Sequence, residues 1–220
     1  MTSLSPSDLA IVENHVATTM DEYNIPGLAI HIAGPVGVMT KAWGANKWPP
    51  GYKPPLFDIE NHCRIGSATK IFTATVILRL VDAGLLHLDD TLDMFDRPGW
   101  TVSDIPNAHL ITIEHLLSMR AGIYEYASNK ALKAAFVFDK KHDFSPEAAL
   151  AGIKAGTPEP WAPGTQYAYA DSNTVLLGII AETIDGRPIR DQITQDVIGP
   201  LGLANTRFDI TRQGDYPAPA

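Results

Sequence analysis

Ser67 and Lys70 are the residues whose types and spacing are best suited to do chemistry together. They stand three apart in Cys63-Arg64-Ile65-Gly66-Ser67-Ala68-Thr69-Lys70, and an apolar run from Ile71 to Val81 follows directly. Positions three apart on a helix share a face, with Cβ atoms roughly 5–6 Å apart, so the amine of Lys70 can fold back to the hydroxyl of Ser67. A serine is a weak nucleophile until a neighbour takes its proton, and a lysine that loses its charge in dry surroundings can take it. A helix N-terminus here adds positive potential that favours a developing oxyanion. Alone the pattern is weak, because Ser-x-x-Lys arises about once by chance in a chain of this length, as a helix cap followed by a solvated lysine. The helix behind it adds weight. Ile71, Phe72, Ala74, Val76, Ile77, Leu78, Leu80 and Val81 leave almost no polar face, which predicts burial on most sides. An amine entering such a helix needs a partner or a function.

A second chemical stretch is Pro163-Gly164-Thr165-Gln166-Tyr167-Ala168-Tyr169-Ala170-Asp171-Ser172-Asn173. Tyr169 and Asp171 flank one residue, so in an extended turn both side chains project the same way. A phenol can shuttle the serine's proton where a lysine ammonium lowers its pKa. A loop with a buried tyrosine and helix-capping polar groups would have the same composition. Tyr124 and Tyr126 could line a substrate cleft or pack beneath a loop.

Several elements must hold these residues. Ser5-Pro6-Ser7-Asp8 reads as a capping box with proline at the first helical position, and Leu9, Val12, Val16 and Met20 continue it as an amphipathic helix over residues 6–22. Leu28–Ala33 and Val36–Trp43 read as two strands of an antiparallel hairpin. Lys47–Pro55 is proline-rich and predicts a loop. Further helices are expected after Thr112, over residues 145–154, over 174–183 and over 188–198. Strands are thus confined to the first 45 residues, and a lone hairpin is marginal.

Composition excludes several functions. The 220 residues are 45% hydrophobic and 19% charged, with a formal charge of −8, and the pI of about 5.3 argues against a nucleic-acid surface. The single cysteine, Cys63, rules out an internal disulfide or cysteine zinc site and is expected to be a small buried thiol. Seven histidines include no His-x-x-x-His pair. There is neither a Gly-x-Ser-x-Gly elbow nor a phosphate loop, so no cofactor or metal is expected. No stretch reaches the length of a membrane span. The N-terminus lacks a signal pattern, which makes a cytoplasmic location the default and a periplasmic or secreted one the expectation if a leader has been removed.

Gly66-Ser67-Ala68-Thr69-Lys70, the run Leu80-Val81-Asp82-Ala83-Gly84-Leu85-Leu86-His87-Leu88-Asp89-Asp90, His115–Gly122, Pro163–Gly178 and Pro200-Leu201-Gly202-Leu203 together resemble the penicillin-recognising serine hydrolases. This family includes class C β-lactamases, D-alanyl-D-alanine carboxypeptidases, D-aminopeptidases and related esterases. The resemblance implies an α/β (α+β) fold of the β-lactamase/transpeptidase type, an antiparallel sheet flanked by helices plus a mainly helical region. Residues 1–60 would supply the N-terminal helix and first strands, and residues 61–220 the helical region with both motifs. Ser67 would be the acylated nucleophile, Lys70 its proton acceptor or relay, and Tyr169 the tyrosine of a Tyr-x-Asn element whose third position here is Asp171. That departure resembles the carboxypeptidase and esterase branches more than typical β-lactamases. Asp171 and Tyr124 are the expected contacts to a small-molecule or peptide acyl substrate. A β-lactamase and a catalytically silent binding or regulatory module are the alternatives. The family's third motif, on a late strand that supplies an oxyanion-hole amide, has no match here. A C-terminal fragment or second chain is therefore expected to complete both sheet and site.

Overall fold

The computed structural model describes residues 3–45, 57–60, 62–130, 134 and 145–208. They divide into two compact units, one ending at Arg64 and the other beginning at Ile65.

In the first unit, α1 (Pro6–Glu22) starts at the predicted residue with half of the expected capping box, since the Asp8 carboxylate accepts from the Ser5 hydroxyl rather than from the Ser5 N–H. The Ser5 hydroxyl accepts from the Asp8 N–H at 3.2 Å, and Pro6 takes the first helical position, where a missing N–H costs nothing. Strands β1 (Gly27–Gly34) and β2 (Gly37–Gly44) pair antiparallel over their whole length, from Gly27↔Gly44 to Gly34↔Gly37. The far edge of β2 meets the N-terminus through one bridge, Ser3↔Val38. The proline-rich loop expected over Lys47–Pro55 lies outside the described residues.

The second unit is helical. A three-ten turn, Gly66–Ala68, runs into α2 (Thr69–Asp82). Then come α3 (Ile113–Leu117), α4 (Pro146–Ala155), α5 (Asp171–Asp185) and α6 (Ile189–Ile193), the last continued by a π-helical turn over Thr194–Ile198. Helices α2, α3 and α4 all pack on α5. Leu176, Ile179, Ile180 and Ala181 of α5 are sealed in the core with Ile77, Leu116 and Ile153. Caps predicted locally form locally. Thr112 and His115 exchange hydrogen bonds at the start of α3, and the Ser145 hydroxyl accepts from Ala148 ahead of α4.

Four expectations need correction. Helix α2 is buried along a single stripe, Thr73, Val76, Ile77 and Leu80, while Ile71 and Leu78 on its other side are 69% and 50% exposed. Its apolar composition predicted burial all round, but only the stripe facing the helical core is covered. Cys63 is exposed, because it lies in the irregular segment before the three-ten turn rather than inside the core. Helix α5 starts at Asp171 rather than Thr174, because the cap that satisfies its first turn comes from a distant residue described below. The helix expected over 188–198 changes to π-helical geometry after Ile193.

Candidate active site

Gly66 sits at φ +53, in the left-handed region that favours glycine, and this turn delivers Ser67 to the entrance of α2. The Lys70 ammonium donates to Ser67 Oγ at 3.1 Å. Ser67 Oγ also lies 2.8 Å from Tyr169 Oη. Tyr169 Oη donates to Asp171 Oδ1 at 3.2 Å, which leaves its oxygen free to accept the serine proton. Lys70 Nζ forms an ion pair with the same Asp171 oxygen at 2.5 Å and stands 4.9 Å from the centre of the Tyr169 ring. Four sequence-predicted residues, Ser67, Lys70, Tyr169 and Asp171, are thereby brought into one hydrogen-bonded group. Tyr169 and Asp171 do project the same way.

The charge on Lys70 follows from its neighbours. Burial pulls its pKa down, but hydrogen bonds that Lys70 donates to Asp171 and then Tyr169, with the Asp171 charge, outweigh burial and hold the pKa above the ordinary lysine value. Lys70 is an ammonium in this arrangement. Dry surroundings discharge a lysine only where no carboxylate faces it.

Tyr124 is not brought to the group. Its ring covers Gly156, where an added Cβ would lie 1.9 Å from a ring carbon, so only glycine permits the contact. Tyr126, in the three-ten turn Tyr126–Ser128, lines the cavity instead. Burial, then the charges of Asp171 and Glu125, pushes the Tyr126 phenol up.

Two residues that sequence reasoning missed fix this segment. Glu125 accepts the Asp171 N–H with Oε2 and the Ala127 N–H with Oε1, the latter at 2.7 Å. The fully buried Ser172 hydroxyl donates to the Tyr124 carbonyl at 2.7 Å and accepts from the Tyr126 N–H at 3.0 Å. Glu125 therefore caps α5 from 46 residues away. The available signal was Ala170 at the N-cap, which has no side chain to satisfy the first-turn donors and so requires an acceptor from elsewhere.

A cavity of about 480 Å³ opens beside the group. Ser67, Lys70, Thr73 and Asp171 border it, and Ala149, Val175, Gly178, Ile179, Ile189 and Phe208 form much of the remaining wall. Its volume is in the range of small-molecule sites.

Comparison with known proteins bears on the family and the fold. The Beta-lactamase family model matches residues 12–218. Penicillin-binding protein 4 of Amycolatopsis lactamdurans is 27% identical over 206 residues, covering 90% of this chain and 49% of its own. The D-alanyl-D-alanine-carboxypeptidase/endopeptidase AmpH of Escherichia coli K12 is 26% identical over 151 residues, 68% of this chain and 37% of its own. The octameric penicillin-binding protein homologue of Pyrococcus abyssi superimposes with a TM-score of 0.72 at 29% identity, covering 89% of this chain and 43% of that one. The fold is thus of the β-lactamase/transpeptidase type, and the chain spans half or less of the length of these relatives.

Proposed function

The chain belongs to the beta-lactamase family, and on that premise we propose that it carries the nucleophile of a serine hydrolase that works through an acyl-enzyme on Ser67. The reading favours a carboxypeptidase- or esterase-type activity. The observation that carries it is the position of Ser67 Oγ at the entrance of α2, within hydrogen-bond reach of both Tyr169 Oη and Lys70 Nζ.

In this reading Ser67 attacks the acyl carbonyl while its proton passes to Tyr169, and Tyr169 hands its own proton to Asp171. Lys70, kept charged by Asp171, stabilises the negative charge that builds on the oxygens around it. Collapse of the tetrahedral intermediate sends the proton back through Tyr169 to the leaving group, and water repeats the cycle to free the acid. Asp171 also bears on the substrate. An ionised carboxylate only accepts hydrogen bonds, whereas an amide at this position could donate to the carbonyl of a β-lactam or peptide side chain. Its presence supports the carboxypeptidase- or esterase-type assignment over a β-lactamase.

The remaining strands of the sheet and a second oxyanion donor belong, in this proposal, to further polypeptide, whether a continuation or a partner chain. Two considerations support that: two strands among the described residues make a marginal sheet, and the relatives are at least twice as long as the part they share with this chain.

A fluorophosphonate probe followed by peptide mapping tests the assignment. One adduct on Ser67 is expected, none in Ser67→Ala, and labelling slowed by about two orders of magnitude in Tyr169→Phe. Wild-type labelling rates in Tyr169→Phe would remove Tyr169 from the proton path.

A further inference from the structure

Resting on the reading of Ser67 as nucleophile, we propose that the cavity beside it is an acyl-chain channel, so that the preferred substrates are esters of elongated, unbranched apolar acids. Helix α5 turns one face to this cavity from Asp171 through Val175 and Gly178 to Glu182. At 1.5 Å per residue that face runs for about 16 Å away from the serine. Beyond Asp171 the wall is mostly apolar, with Ala149 on α4 and Phe208 adding to Val175 and Ile179. Gly178 leaves the channel wide at its middle, since a Cβ there would meet only Ile189, at 3.9 Å, and otherwise open space. Glu182 at the far end is no bare charge. It is bonded to Arg97 at 3.2 Å and to the Ile189 N–H at 2.8 Å.

Which half of the ester enters follows from Tyr169. It returns the proton to the leaving group, yet it does not line the cavity, while Ser67, Lys70 and Asp171 do. The alcohol therefore departs on the Tyr169 side. The acyl group, bonded to Ser67 Oγ as the ester C–O bond breaks, lies along α5 until water releases the acid. Asp171 Oδ1 already accepts from Lys70 and Tyr169, so a hydrocarbon chain passing it leaves no charge unpaired.

The test compares p-nitrophenyl acetate, butyrate and octanoate. Burial of each added methylene in the channel is expected to raise kcat/KM about fourfold. Gly178→Leu on α5 and Ala149→Leu on α4, each checked for a cooperative melt, narrow the channel from two walls and are expected to cut the octanoate-to-acetate ratio at least tenfold. Titration calorimetry of octanoate against Ser67→Ala gives a readout free of catalysis, with binding expected there and lost when Gly178→Leu is added. Acylation of Ser67 with no preference along the ester series, or a ratio unchanged in both variants, overturns the channel while the nucleophile stands. Octanoate bound by Ser67→Ala but no acylation of the wild-type protein by any ester supports the channel and overturns the nucleophile. Neither binding nor acylation overturns both.

Discussion

The hairpin unit and the helical unit are stabilised in different ways. Among the described residues of the first, only Val16 and Met39 are buried apolar side chains, and its order comes from a cap, a proline and an eight-rung ladder set by nearby sequence. In the second, one continuous core runs from Val76 to Ile198, with α5 sealed at its centre. Contacts distant in sequence also build its site, because Ser67 meets Tyr169 across 102 positions. The difference teaches that the site is fixed by tertiary packing around α5, whereas the hairpin is a local structure with little core of its own.

That contrast makes predictions, the largest first. Leu176→Ala opens a cavity in the sealed core and should cost about 2–5 kcal/mol, whereas Met39→Ala, at 9% exposure in a sparse unit, should cost less than half as much. Equal losses in chemical denaturation would erase the distinction between the two units. Glu125→Ala removes the acceptor of the Asp171 N–H, and an orphaned donor is worth about 1–3 kcal/mol. A fall in kcat of about tenfold or more is expected, with Glu125→Gln restoring part of it, because its single amide oxygen still accepts the Asp171 N–H while its NH2 gives up the bond to Ala127. No rescue by glutamine would mean that the Glu125 charge acts directly.

The third prediction concerns Lys70. Its pKa is raised, so its ammonium persists below the ordinary lysine value of about 10.4 and is lost only as pH climbs through the higher folded value. The alkaline limb of kcat/KM that reports it should therefore lie above that value. Asp171→Asn removes the main raising partner together with the acceptor of the Tyr169 proton, so kcat/KM should fall and the limb of the remaining activity should move downward. An unmoved limb would detach Lys70 from Asp171.

The smallest effect is on acid stability. The Ser103 hydroxyl holds the Asp96 carboxyl below its usual range, and Arg187 does the same for Asp185, in each case against burial. Groups so lowered contribute stability that is complete above the ordinary aspartate value of about 3.9 and is lost as pH falls through the folded value. Melting temperature should stay level from neutral pH to about pH 4 and drop below it, with a shallower drop in Asp185→Asn.

Ser67, Lys70, Tyr169 and Asp171 were legible in the sequence because each pair sits within one turn or one extended triplet, where spacing alone fixes direction. The hairpin was legible because short apolar runs bounded by glycines are local too, and α1 because Ser5 and Pro6 mark its start. What escaped depends on long-range partners. The charge state of Lys70 follows from the carboxylate opposite it rather than from its own helix. Glu125 sits in a short aromatic segment with no mark of the helix that it caps, and the choice between Tyr124 and Tyr126 turns on which ring Gly156 accommodates. The exposure of Ile71 and Leu78 shows the limit of composition, which reports apolar character but not which face is covered.

Acid-quenched intact-mass spectrometry of the protein mixed with p-nitrophenyl octanoate tests the central claim most directly. The account predicts a single acyl adduct that maps to the peptide containing Ser67 and is absent from Ser67→Ala. A folded protein that takes no adduct, or an adduct that persists in Ser67→Ala, would contradict it.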